Sequence, residues 1–254
     1  MSSVEEEAVA TVTRLAESCA EILQSSLVSA ILHGSLTLDD FQPGTSDLDL
    51  LLVVEPGLTA NEVSALIEVV GVEDVSPAGG FDLLVVTRES AAAPAEHPSR
   101  ELLVGRYPGP VEDLEVELRD DDAPDVWPEL SMARANGMAL LGAEPREVLN
   151  EVPTTLVRAH GIGWLRRWLE LADDDENATH MVLTACRIWR FAVQGKHSSK
   201  SSAARWALER DPSLTGVSKA LSVRTTAKSV RISPDEVETV LLRVIRDVEE
   251  GTQA

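Results

Sequence analysis

Gly34-Ser35 stands ahead of two aspartates, Asp47 and Asp49, which open the apolar run Asp47-Leu48-Asp49-Leu50-Leu51-Leu52-Val53-Val54. In a strand alternate residues share a face, so the two carboxylates project from one side, one pleat apart. Like charges that close repel each other unless a cation sits between them. Hard oxygen ligands on a short strand suit Mg2+ carrying a nucleotide triphosphate. Gly34 lets the backbone approach a phosphate closely, and Ser35 adds a hydroxyl and exposed amides. A third acid, Asp82, lies in a second apolar run, Phe81-Asp82-Leu83-Leu84-Val85-Val86. Three carboxylates on adjacent strands fit nucleotidyl transfer. Two would hold Mg2+, and the third either completes the metal shell or takes a proton from the attacking hydroxyl. Such chemistry depends on positioning and charge neutralisation more than on covalent help. The competing reading is a strand edge with solvated acids, and the apolar neighbours of all three argue against it.

These residues need a sheet to position them. Residues 28–33 read as a strand entering the Gly-Ser turn, 48–54 as a second strand and 81–86 as a third. Val9, Val12, Leu15, Cys19, Ile22 and Leu23 recur at helical spacing, which predicts an amphipathic helix over about 5–27. A helix after Thr59 carries Val63, Leu66, Ile67 and Val70 on one face. Pro43 and Gly44 mark a turn, the Pro- and Ala-rich stretch 91–98 a loop, and the alternation over 111–118 a half-exposed strand. From about residue 125 the period becomes helical, with helices predicted over 128–142, 154–172, 178–194, 201–210, 213–229 and 234–249. The last has a clear start: Ser233 as N-cap, Pro234 in the first turn and Glu236 three residues after the cap. The expected fold is therefore α/β (α+β), a mixed sheet flanked by helices over residues 1–150 and an all-helical domain over 151–254.

Charge divides in the same place. The chain of 254 residues has a formal net charge of −21. Residues 1–150 hold 7 Lys and Arg against 29 Asp and Glu, whereas residues 151–254 hold 15 against 14. All four lysines, Lys196, Lys200, Lys219 and Lys228, are in the second part. Such asymmetry suggests two modules, and a strongly acidic body repels nucleic acid and anionic membranes while attracting small polycations. Cys19 and Cys186 are far apart, which indicates neither a zinc site nor a disulfide framework. The N-terminus has no signal-peptide pattern, and no apolar run approaches the roughly 20 residues that span a bilayer. A cytoplasmic protein without nucleic-acid or membrane partners is expected.

The pattern Gly34-Ser35 then Asp47-x-Asp49 resembles nucleotidyltransferases of the DNA polymerase β type. Further blocks resemble the streptomycin/spectinomycin adenylyltransferases: His33-Gly34-Ser35, Pro43, Ser46 to Leu51, Arg100-Glu101-Leu102, Leu183-Thr184-x-x-Arg187-Ile188-Trp189, Gly195-Lys196 and Ala203 to Arg210. The Gly-Ser and D-x-D elements are shared by many relatives, and the blocks from 183 to 210 are far more specific. The resemblance implies an N-terminal nucleotidyltransferase domain and a C-terminal helical domain, with ATP and an aminoglycoside or aminocyclitol between them. It places the Mg2+ ligands on Asp47 and Asp49, with Ser35 and Ser46 beside the triphosphate. Its catalytic base is a glutamate, matched here by Asp82, whose carboxylate is set back by a methylene. Its phosphate-contacting lysine matches Lys200. A tryptophan of its drug pocket falls on Tyr107. The family's streptomycin-contacting tryptophan and aspartate fall on Trp168 and Asp173, a further drug-binding aspartate on Asn177 beside Glu176, and a histidine on His180.

An aminoglycoside O-adenylyltransferase acting on streptomycin, spectinomycin or both, and conferring antibiotic resistance, is the reading this supports. A small-molecule acceptor and a monomer go with it. A relative that adenylylates a protein, a tRNA end or a metabolite is the alternative, and the acidic first domain argues against tRNA. A non-catalytic module that binds a nucleotide or a partner chain is a third, and the intact set of acids argues against that. Without the resemblance, Asp173 to Glu176 would read as a solvated loop, and Trp164, Trp168, Trp189 and Trp206 as core.

Overall fold

The computed structural model describes residues 2–95, 98–107, 114–226 and 230–251. The chain divides into two compact units, Met1–Val152 and Pro153–Ala254.

In the first unit, α1 (Ser3–Leu23) starts at a capping box in which the Ser2 hydroxyl accepts from the Glu5 N–H and the Glu5 carboxylate accepts from the Ser2 N–H. It buries Ala8, Val12, Leu15, Cys19 and Leu23 as one stripe and stops at Leu23, four residues short of the expected end. A 3-10 turn (Gln24–Ser26) leads into β1 (Leu27–His33). β2 (Asp47–Val54) follows, then α2 (Ala60–Val72), which Thr59 and Glu62 cap in the same reciprocal way. Next come β3 (Gly80–Thr87), the short α3 (Arg88–Ala92), β4 (Arg100–Arg106) and β5 (Leu114–Asp120). α4 (Val126–Asn136), β6 (Met138–Gly142) and α5 (Pro145–Val148) complete the unit. The sheet order is β5-β4-β3-β2-β1-β6. β2 and β3 run parallel and the other neighbours antiparallel, so the sheet is mixed. From Leu50 to Val54 β2 is buried on both faces, as is usual for strands covered on either side.

Three sequence readings are corrected. The helix expected over 128–142 ends at Asn136, and Met138–Gly142 is instead a strand paired with β1. Gly137 ends the helix, and a short apolar run such as Met-Ala-Leu-Leu continues a helix pattern as readily as it makes a strand. The loop expected over 91–98 begins inside α3, whose cap is the Thr87 hydroxyl accepting from the Ser90 N–H. β5 is more exposed than the half-buried strand expected, because it is the sheet edge. Residues 111–113 of that expectation lie outside the described residues.

The second unit is all helical: α6 (Thr154–Leu169), α7 (Ala178–Gln194), α8 (Lys200–Arg210), α9 (Thr215–Thr226) and α10 (Pro234–Gly251). Its core joins Leu165 of α6, Met181, Ala185 and Trp189 of α7, Ala203 and Ala207 of α8, Val217 of α9, and Val237, Val240, Leu241 and Val244 of α10. The capping pattern at Ser233 is present: the Ser233 hydroxyl accepts from the Glu236 N–H at 3.4 Å, and Glu236 accepts from the Ser233 N–H at 2.9 Å. No helix among the described residues is long and apolar enough to cross a membrane.

Candidate functional site

In the parallel pair, Asp47 lies opposite Gly80 and Asp49 opposite Asp82. Residues in register on neighbouring strands share a face, so Asp47, Asp49 and Asp82 point to one side of the sheet. Their alternates, Leu48, Leu50, Phe81 and Leu83, are fully buried on the other. β1 brings the Gly-Ser turn alongside, because His33 pairs with Asp49 and Gly34 follows. Gly34 has φ +74°, and any Cβ there would overlap the Asp49 carboxylate. The turn therefore needs glycine twice over, for its left-handed backbone and for its closeness to an acid.

Two more glycines make room on the β3–β4 side. A Cβ on Gly80 would lie against Asp47 Oδ1 and 2.7 Å from the Arg106 carbonyl. One on Gly105 would lie 2.9 Å from Tyr107 Oη and 3.1 Å from Asp82 Oδ1. Tyr107, just beyond β4, donates its hydroxyl to Asp82 Oδ1 at 2.8 Å. The structure thus gathers Gly34, Asp47, Asp49, Asp82 and Tyr107, contributed by four successive strands. Burial pushes the Asp82 carboxyl up to about 7, and repulsion from Asp49 adds to the rise while the Tyr107 hydroxyl opposes it. Burial and the neighbouring Asp82 charge likewise raise the Tyr107 phenol, which stays protonated.

The two serines play different parts. Ser35 Oγ is buried with no hydrogen-bond partner, while its carbonyl accepts from the Asp40 N–H at 3.1 Å. The Ser46 hydroxyl accepts from the Gln42 N–H at 3.0 Å and so closes the turn that delivers Asp47 into β2. Among the described residues no group of three His, Cys, Asp or Glu could hold a metal ion. Asp47 and Asp49 do fit an ion that arrives with its own phosphate oxygens. Mg2+ is commonly bound by one or two carboxylates together with substrate phosphates.

The second unit carries a different kind of surface. Lys200 is the first residue of α8, behind the cap Ser199, whose hydroxyl accepts from the Ser202 N–H at 3.3 Å. His180 of α7 shows an open edge, yet surrounding protein, then the Lys200 and Arg187 charges, pull its pKa well below the usual histidine range. His197 is lowered for similar reasons, burial first and then Arg187, and its ring stands 4.6 Å from that of Phe191. Arg187 thus stands near enough to His180 for its charge to be felt there, as Lys200 does. Sequence reasoning quoted Arg187 without placing it beside His180, yet the signal was present: His180, Thr184 and Arg187 fall at i, i+4 and i+7, one face of a helix. Thr184 Oγ1 and Ser198 Oγ are both buried without partners.

Along α6, His160, Trp164 and Trp168 recur every four residues, the first pair of rings edge-to-face and the second tilted. Trp164 Nε1–H donates to His160 Nε2 at 2.8 Å. The Trp164 and Trp168 rings are 5.8 Å apart, and Trp168 meets His180 edge-on at 5.9 Å. Trp189 is buried, whereas Trp164, Trp168 and Trp206 are only half-buried, so the expectation that all four are core holds fully for Trp189. In the loop after α6, Asp174 accepts from the Asn177 backbone and side-chain amides, and Asp175 pairs with Arg231 at 2.8 Å. Asn177 is thus engaged within its own loop. Asp173 and Glu176 are exposed.

A mixed sheet with paired acids on adjacent strands beside a Gly-Ser turn is a nucleotidyltransferase arrangement, and the family described as nucleotidyltransferase domain matches residues 12–119. Residues 147–242 match the aminoglycoside adenylyltransferase C-terminal domain. The chain is 27% identical over 194 residues to a spectinomycin 9-adenylyltransferase of Staphylococcus aureus, covering 74% of this chain and 73% of that protein. It is 29% identical over 202 residues to an aminoglycoside (3'')(9) adenylyltransferase of Klebsiella pneumoniae, covering 75% and 74%. The fold is that of the spectinomycin adenyltransferase AAD(9) from Enterococcus faecialis, solved with ATP and spectinomycin, with a TM-score of 0.78, 19% identity and coverage of 96% and 99%. The protein is a nucleotidyltransferase. Its two parts are similar, in turn, to a nucleotidyltransferase domain and to the C-terminal domain of the aminoglycoside adenylyltransferases.

Proposed function

We propose that this enzyme transfers AMP from Mg-ATP to a hydroxyl of streptomycin and of spectinomycin, releasing pyrophosphate and conferring resistance to both. One observation carries the reading: Asp47, Asp49 and Asp82 share one sheet face, with Gly34 packed against Asp49. The catalytic acids stand in the domain over residues 1–150, and residues 151–254 supply contacts to the phosphates and to the acceptor.

Asp47 and Asp49 would hold Mg2+, which supplies charge neutralisation at the triphosphate. Gly34 and the unpartnered Ser35 hydroxyl line the phosphate approach, with Ser46 shaping the turn. Lys200, joined by Arg187, offers cationic contacts to the phosphates. Asp82 takes the proton of the acceptor hydroxyl as that oxygen bonds to the α-phosphorus, and the bond from the α-phosphorus to the bridging oxygen breaks as pyrophosphate leaves. Trp168 with His180 gives an apolar wall for a sugar or cyclitol ring, and Tyr107 another. Asp173, with Glu176 in place of an acid at Asn177, would bind guanidinium or ammonium groups.

Mass spectrometry of each drug after incubation with enzyme and Mg-ATP tests this. Both drugs should gain one adenylyl group, and Asp82→Ala should slow the gain by about 10²–10⁴. Unmodified drugs would move the protein to an adenylyltransferase with another acceptor. Near-normal turnover by Asp82→Ala would place the base elsewhere.

A further inference from the structure

The Tyr107 ring is held by what its neighbours lack. Asp82 and Gly105 are partners in the antiparallel β3–β4 pair, and Tyr107 lies two residues beyond Gly105, on the same side of the sheet. A Cβ on Gly105 would stand 3.0 Å from Tyr107 Cε2 and one on Gly80 would stand 3.2 Å from Tyr107 Cδ1. The ring therefore occupies a slot left by two missing side chains, on two different strands. From that slot its hydroxyl reaches Asp82 Oδ1 at 2.8 Å. The residue remains 39% exposed.

We infer that Tyr107 is a positioning residue for Asp82: its hydroxyl fixes one carboxylate oxygen and leaves the other directed at the acceptor hydroxyl. The terminal torsion of an aspartate is broad and roughly two-fold. An unheld carboxylate would spend part of its time turned away from the proton it must accept. Oδ1 is taken by the phenol, and Oδ2 keeps lone pairs for the proton of the acceptor. The side chain is short, so its reach depends on its torsions, and near-attack geometry tolerates little misplacement. Gly80 and Gly105 then serve the same end, since a methyl at either would press on the ring or on an acid. This inference rests on the reading of Asp82 as the base.

A double-mutant cycle on the full enzyme tests it, with kcat and KM for spectinomycin measured for Tyr107→Phe, Asp82→Ala and the double variant. Phenylalanine keeps the ring in its slot and removes only the hydroxyl. Tyr107→Phe should lower kcat by roughly tenfold to a hundredfold, as for a lost hydrogen bond to a charged group, with KM changed less than about threefold. The double variant should be no slower than Asp82→Ala alone. Gly105→Ala, which changes neither partner, should reproduce the kcat loss. Wild-type kcat in Tyr107→Phe, or a full additional loss on top of Asp82→Ala, would overturn the positioning role while leaving Asp82 as base. Wild-type turnover in Asp82→Ala would remove the base and the positioning role together.

Discussion

The acids of the first unit and the aromatic and cationic face of the second are built by different means. In the first, strand register alone brings Asp49 level with Asp82, and backbone hydrogen bonds on both sides of β2 and β3 fix the arrangement. Little there can adapt without breaking the sheet. In the second, His160, Trp164 and Trp168 line up through helix periodicity and Trp168 meets His180 across two helices, while the neighbouring acids stand on a loop. Side chains there can change without touching the ladder of any sheet. On the proposed reading, chemistry that must stay constant lies on strands, and recognition that can vary lies on helix faces and a loop.

The sharpest break of that comparison is the loss of a strand carboxylate. Asp47→Asn and Asp49→Asn should each lower turnover by about a thousandfold or more, since the interaction lost is worth several kcal/mol of charge stabilisation. Both should keep the wild-type circular-dichroism spectrum and melting temperature. Wild-type pyrophosphate release by either would remove that residue from the metal.

On the helical side the effects should divide by acceptor. Trp168→Ala and Asp173→Ala should cost streptomycin modification roughly a hundredfold in kcat/KM while sparing spectinomycin, because streptomycin is longer and carries guanidinium groups. Equal losses on both drugs would mean that this face is common wall rather than a discriminator. Lys200→Ala should raise the KM for ATP by about tenfold, the weight of one charge-assisted contact, without changing thermal stability. Unchanged ATP affinity by calorimetry would take Lys200 out of the site.

The smallest effect concerns the fold alone. A hydrogen bond from Lys219, joined by the Ser233 backbone N–H and hydroxyl and by the Thr215 hydroxyl, holds the Glu236 carboxyl down to about 2. Its folded pKa lies below its unfolded value, so the stability it contributes is complete above about pH 4.5 and is lost as pH falls toward 2. Glu236→Gln should destabilise the protein by about 1 kcal/mol at pH 7, typical of a lost helix cap, and by less at pH 3. Chemical denaturation at the two pH values measures the difference. A gap that widens on acidification would contradict the assignment.

Much of the first unit was legible because a period of two leaves few options. Asp47 and Asp49 were placed on one face by spacing, and the apolar runs around Asp49 and Asp82 made buried neighbouring strands the natural reading. β6 was not legible, since five residues after a helix carry no period of their own. Nor was the Asp82–Tyr107 hydrogen bond, which joins residues 25 apart and needs the empty positions at Gly80 and Gly105. In the second unit, periodicity gave the helices well, with α7 and α8 close to their expected bounds and Ser233 as the cap of α10. Contacts between helices are not written in any local period. Trp168 and His180 were each singled out by resemblance, but their edge-on contact was not legible, and Arg187 needed the charge environment of His180 to stand out.

Pyrophosphate release from Mg-ATP in the presence of streptomycin, spectinomycin or a 2-deoxystreptamine aminoglycoside tests the central claim most directly. The account predicts release with the first two drugs, none above background with the third, and none from Asp49→Asn with any of them. Release that does not depend on which acceptor is added, or that survives in Asp49→Asn, would contradict it.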